Sequence, residues 1–117
     1  MTSDLPDWTR SIAAQVGVGQ APAYWEGRTG KYEDTSFVTG ESPRVLAANT
    51  DLGRNAHDGY FINDGPGTIL LEISDDGLIY GAQHTIKGDE IFDLGKLDID
   101  RIRLTWVSNS AYRCSVI

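Results

Sequence analysis

From Thr68 to Ser74 successive side chains alternate between two faces, with Ile69, Leu71 and Ile73 on one and Thr68, Leu70, Glu72 and Ser74 on the other. A period of two over this length predicts a half-buried β-strand. The flanking residues extend the pattern. Tyr60 to Asn63 reads as a strand that Asn63-Asp64-Gly65-Pro66-Gly67 then breaks. Glycine there supplies positive φ, proline fixes φ, and the two Asx side chains can cap freed amides. Asp75-Asp76-Gly77 reads as a hairpin turn, and Leu78 to Tyr80 as the start of a return strand. Residues 59–82 are therefore expected to form an antiparallel meander around which the chain is organised.

Downstream, Gln83 to Ile86 and Asp89 to Leu94 are short strands separated by a Lys87-Gly88 turn. Gly95-Lys96 turns again, and Leu97 and Ile99 point inward. Ile102, Leu104 and Trp106 line one face of the next strand, with Arg101, Arg103 and Thr105 on the other. After a turn at Ser108-Asn109-Ser110, Tyr112, Cys114 and Val116 face inward while Arg113 and Ser115 face outward. Upstream of the meander, Arg44 to Ala48 reads as an edge strand, and Asp51 to Asp58 is polar and turn-rich. Roughly seven to nine short strands with no strong helix predict an all-β fold, an antiparallel β-sandwich or jelly roll.

The N-terminal third is less regular. Residues 1–8 form a polar lead-in. Trp8 to Val18 fits a strand through Ile12, Ala14, Val16 and Val18, and a helix through Leu5, Trp8, Ile12 and Val16. Val16-Gly17-Val18-Gly19 is poor helix material, which favours the strand. Residues 19–43 are interrupted by Gly19, Pro22, Gly27, Gly30, Gly40 and Pro43, yet carry Tyr24, Trp25, Tyr32 and Phe37. Such a segment either packs over the open end of a sandwich or docks on a neighbour. The chain thus divides into an irregular N-terminal arm with an aromatic loop, residues 1–42, and a β-sandwich core, residues 43–117. Trp8, Tyr24, Trp25, Tyr32 and Phe37 are the candidate interface residues, because aromatic side chains supply large contact area.

Composition narrows the function. A chain of 117 residues is one domain with one modest core. Its formal charge of −7 is spread over both halves, and Arg101, Arg103 and Arg113 are interleaved with other residue types. The absence of a basic stripe argues against a nucleic-acid partner. Cys114 is the only cysteine, which excludes an internal disulfide and a multi-cysteine zinc site. Between Tyr112 and Val116 it is expected to be a small buried side chain. The acidic, polar N-terminus has no secretory apolar region, and no apolar run reaches the ~20 residues of a membrane helix. A soluble chain in a reducing cytoplasm, without a membrane partner, is expected.

Candidate chemistry is sparse. His57 beside Asp58, or His84, could act as a general base or half of a metal site. Neither is accompanied by a nucleophile motif or by His-x-His or Glu-x-x-His spacing. The acidic turns at Asp64, Asp75-Asp76, Asp89-Glu90, Asp98 and Asp100 could converge on calcium, but the EF-hand pattern is missing. Asx residues in β-turns need no ligand. Gly65-Pro66-Gly67 leads into a strand, whereas a phosphate loop needs helix-terminal amides. Tyr24, Trp25 and Tyr32 could form a sugar-stacking platform. These residues predict no catalytic site, no cofactor and no metal.

From Ser42 onward a series of phrases carries a resemblance. They are Ser-Pro-Arg-Val-Leu, Leu-Gly-Arg-Asn-Ala-His-Asp-Gly-Tyr-Phe-Ile-Asn-Asp-Gly-Pro-Gly, Leu-Glu-Ile-Ser-Asp-Asp-Gly, Asp-Arg-Ile-Arg-Leu-Thr-Trp and Ser-Ala-Tyr-Arg-Cys-Ser-Val. Together they resemble small virion structural proteins of tailed bacteriophages, with the N-terminal arm unmatched. The resemblance implies a non-enzymatic β-sandwich that works by assembly. Its first implication is a head decoration (cement) protein in the virion, assembled in the host cytoplasm. Such a protein would bind the major capsid protein as a homo-oligomer, a trimer being favoured. A neck, tail or baseplate position is the alternative within that class, and a glycan-binding module for the host surface is the alternative outside it. Negative charge suits docking on basic patches of a shell. The arm could swap a strand into a neighbour or run along the capsid, with Tyr24 and Trp25 as anchors.

Overall fold

The structure is a computed structural model and describes residues 30–117. Its strands are β1 (Gly30–Phe37), β2 (Arg44–Leu46), β3 (Gly59–Pro66), β4 (Ile69–Ser74), β5 (His84–Ile86), β6 (Ile91–Asp93), β7 (Arg101–Trp106) and β8 (Ser110–Val116). One short helix, α1 (Ala48–Leu52), follows β2. Gly53 ends that helix in the left-handed region at φ 78°, and its N–H bonds Asn49 O at 2.7 Å. The strands form two four-stranded antiparallel sheets, ordered β1-β8-β3-β6 and β2-β7-β4-β5. First pairs with last throughout: β1 with β8, β2 with β7, β3 with β6, β4 with β5. The β4–β5 connection stays within one sheet, and the other connections cross between sheets.

Alternation along each strand builds a core between the sheets. Phe37, Phe61, Tyr112, Cys114 and Val116 enter it from one sheet, and Ile69, Leu71, Ile86, Ile102 and Leu104 from the other. Tyr112 meets Phe37 edge-on at 5.7 Å and stacks on Phe61 at 5.5 Å. Leu52 of α1 and Leu94 and Ile99 of the β6–β7 connection complete the interior. The expected inward positions of β4, β7 and β8 hold, with Ile73 and Trp106 at the margin. Cys114 is buried as expected.

The predicted meander does not form. β3 and β4 lie in opposite sheets and pair with different neighbours. Phe61 and Leu71 face one core from opposite sides, and alternation reports the buried side of a strand but not its sheet. Gly67 makes the crossing: a Cβ there would sit 2.3 Å from Asn109 O and 2.5 Å from Ser108 O. Leu78 to Tyr80 is not a strand, and the return to β4 begins with Gly81 N–H on Ile73 O at 2.8 Å. Residues 30–37, read from the sequence as part of the irregular arm, are β1 and pair with β8 from Gly30↔Val116 to Phe37↔Ser110. The Trp8–Val18 segment lies outside the described residues.

Asn63 is fully buried where the sheets meet. Its Nδ2 donates to Gly67 O at 2.9 Å and Ile86 O at 2.8 Å. Its Oδ1 accepts from Gly65 N at 2.9 Å and Ser110 Oγ at 2.5 Å. Both donors and both lone pairs are used, so the amide is buried without an unmet group. Its main chain also bonds Glu90 O at 3.0 Å and Asp89 N at 2.7 Å.

Asn63→Ala removes the side-chain partner of Ile86 O and Gly65 N–H and leaves Gly67 O and the Ser110 hydroxyl only their long mutual contact of 3.4 Å. Each unsatisfied buried group costs ~1–3 kcal/mol, so a total loss of at least about 3 kcal/mol is expected. For a domain of this size that lowers Tm by more than ~10 °C in a calorimetric melt. Leu71→Ala and Leu104→Ala are each expected to cost ~2–5 kcal/mol in denaturant titrations, and unchanged midpoints would contradict the core described.

Candidate functional site

Among the described residues, several groups that could perform chemistry are engaged with neighbours in the fold. His57 Nδ1 stands 3.9 Å from Asp98 Oδ1, with both side chains exposed. Asp58, the expected partner of His57, instead accepts Gly59 N–H at 2.8 Å. His84 lies against Phe92, ring centres 4.7 Å apart, at the margin between the sheets. Burial pushes the Cys114 thiol up to about 12, so it stays protonated at neutral pH. The Tyr32 hydroxyl donates to the Asp51 carboxylate, and burial followed by that bond raises its pKa. Among the described residues no group of three or more His, Cys, Asp or Glu side chains could hold a metal. The acidic turns cap themselves: Glu90 Oε1 accepts Lys87 N–H and Asp93 Oδ1 accepts Gly95 N–H, each at 2.8 Å.

What remains is surface. Across the outer face of the β1-β8-β3-β6 sheet, Glu33, Arg113, Ile62 and Ile91 form one row. Lys31, Ser115, Tyr60 and Asp93 form the next. Ile91 is 67% exposed and Tyr60 43%. Arg113 grips Asp64 with two bonds, Nε to Oδ2 at 2.9 Å and Nη2 to Oδ1 at 2.8 Å. That grip holds the Asp64 carboxyl below the usual carboxylate range and raises the guanidinium. A shallow depression of about 360 Å³ lies here, lined by Lys31, Glu33, Tyr60 and Arg113 among others.

The outer face of the other sheet is closed by a charged pair. Arg103, in the row Val45–Arg103–Glu72, donates Nε–H to Glu72 Oε1 at 2.8 Å. Its guanidinium also sits 4.0 Å over the Tyr80 ring. Tyr80 belongs to the β4–β5 loop, whose tip is held by its own carboxylate. Asp76 Oδ1 accepts Leu78 N–H at 2.8 Å, Ile79 N–H at 3.0 Å and the Ser74 hydroxyl at 3.0 Å. Ser74 Oγ accepts Gly77 N–H at 2.8 Å. The bonds from Ile79 and then Leu78 keep the Asp76 carboxyl below its usual range. Leu78 and Ile79 project from this turn 84% and 75% exposed.

Of the expected interface residues, Trp8, Tyr24 and Trp25 lie outside the described residues. Phe37 is a core residue, fully buried against Tyr112, because β1 is a sandwich strand and not a loop. Tyr32 faces inward opposite Cys114 and is tethered through its hydroxyl to Asp51. Sequence reasoning passed over Tyr60, Ile91, Leu78 and Ile79. A signal for the last two was present: Leu78-Ile79-Tyr80 are consecutive apolar residues, which a half-buried strand cannot place on one face. In comparisons with protein-family models, curated proteins and solved structures, nothing matches this chain.

The depressed pKa of Asp76 sets the sign of a pH effect. A carboxyl lowered in the folded state stabilises the turn above its unfolded pKa, and that support is lost as pH falls through the folded value. Asp76→Ala is expected to speed amide exchange at Leu78 and Ile79 roughly tenfold at neutral pH. The difference between variant and wild type should vanish in acid. Equal exchange at neutral pH would contradict the capping role.

Proposed function

We propose that this chain is a bacteriophage virion structural protein with a jelly-roll fold. In this reading it is a head decoration protein that binds the major capsid protein as a small homo-oligomer, with a trimer favoured. The carrying observation is the strand order. Two sheets ordered β1-β8-β3-β6 and β2-β7-β4-β5 are what results when a four-on-four antiparallel hairpin is rolled up, first strand against last. That order supports the jelly-roll reading, and viral capsid and lectin domains both use jelly rolls.

The use of polar groups favours assembly over turnover. Arg44, Arg101, Arg103 and Arg113 are ion-paired to carboxylates of the same chain. Other carboxylates cap turns, and the thiol is protonated. Cement acts through contact area, which this fold offers on its outer sheet faces, at its loop tips and along the edge strand β1. Edge strands accept an added strand through backbone hydrogen bonds. The N-terminal segment with Tyr24 and Trp25 joins the sandwich at that strand and is the proposed anchor.

One observation favours glycan binding instead: exposed Tyr60 beside a depression lined by charged side chains. Two experiments separate the readings. Capsid shells carrying the protein are expected to withstand a higher temperature before rupture than bare shells, and equal rupture temperatures would overturn the cement role. On a glycan array the protein is expected to give no signal. A signal abolished by Tyr60→Ala would replace the capsid reading with the glycan one.

A further inference from the structure

Resting on the assembly reading above, we propose that the β4–β5 loop is a docking peg. Leu78 and Ile79 insert into an apolar cleft, rimmed by lysine or arginine, on a protein other than this chain. The first observation is the exposure of two adjacent aliphatic side chains, 84% and 75%, at a loop tip. The second is that the tip is fixed. Asp76 and Ser74 bond each other and accept the three successive amides of Gly77, Leu78 and Ile79. At the far side, Gly81 N–H bonds Ile73 O at 2.8 Å, and Tyr80 lies under the Arg103 guanidinium. The two side chains are thus held out between two anchored points, and docking them orders little that was free.

Charge identifies the class of partner. Asp75, Asp76 and Asp98 line the depression that Ile79 borders. The Asp76 carboxyl is held ionised by backbone amides of its own turn. An apolar plug flanked on one side by three carboxylates fits an apolar socket with a basic rim, because like charges across an interface are costly and opposite charges steer docking. A second copy of this chain is the poorer match for such a socket. The chain carries a formal charge of −7, and Arg44, Arg101, Arg103 and Arg113 are paired internally. Phosphate-rich partners are disfavoured by the same carboxylates.

The test uses the full chain with photoreactive p-benzoylphenylalanine at position 78, and in parallel at the exposed strand position Thr85. Both are irradiated in the cells that naturally express the protein, and crosslinked peptides are sequenced. Position 78 is expected to give one dominant product, on an apolar segment of another protein flanked by lysine or arginine. The double variant Leu78→Ser, Ile79→Ser should melt like wild type, since neither side chain is in the core. It should bind the identified partner ~100-fold more weakly. No product from position 78, a product within residues 1–29 or on another copy, a partner surface without basic residues, or undiminished binding by the double variant would each overturn the proposal. A product on a host protein with the stated chemistry keeps the peg and removes the capsid reading. Stabilised shells together with a silent position 78 do the reverse.

Discussion

The buried side chain of Asn63 joins parts of the molecule that the sequence keeps far apart. It sits on β3 of one sheet and bonds Ile86 O at the edge of the other, Gly67 O in the crossing between them, and Ser110 Oγ at the start of β8. Crossings are the hard part of this architecture, because each takes backbone polar groups through the margin of an apolar core. A short amide with two donors and two acceptor sites satisfies three of them, and the Ser110 hydroxyl, from one position. Gly67 allows the approach, since any side chain there would collide with Ser108 and Asn109. With that corner fixed, β3 and β4 diverge into opposite sheets, and Phe61 and Leu71 meet across one interior.

This explains which parts of the fold could be read from the sequence. Periodicity identified the inward faces of β4, β7 and β8 and the burial of Cys114, which depend on which side of a strand is wet. The edge strand expected over Arg44 to Ala48 is at the sheet edge but ends at Leu46, and Ala48 begins α1. Sheet membership depends on what happens at corners. Asn63-Asp64-Gly65-Pro66-Gly67 reads equally well as a hairpin turn or as a crossing, and the difference lies in a carbonyl of Ile86, 23 residues downstream. β1 was obscured for another reason. Lys31, Glu33 and Thr35 place a polar face outward, but Tyr32 and Phe37 stand an odd number of positions apart, and only the register shift between Asp34 and Phe37 lets both face inward.

The surface shows the same economy. Several carboxylates that sequence patterns flag as candidate ligands close turns or pin strands together: Asp76 and Glu90 accept turn amides, and Asp64 is held by Arg113. What they leave uncovered is aliphatic and aromatic: Tyr60 and Ile91 on a sheet face, and Leu78 and Ile79 on a turn locked by Asp76. Apolar side chains held rigidly in water are a cost to an isolated protein and an asset to one that assembles. Strand order, paired arginines and presented apolar groups are the observations on which the proposed structural role rests.

Sedimentation of the full chain, alone and mixed with capsid shells that lack it, tests that role most directly. A decoration protein is expected to run as a discrete small oligomer and to move into the shell boundary until its sites are filled. A chain that stays in the slow boundary at every shell concentration would contradict it.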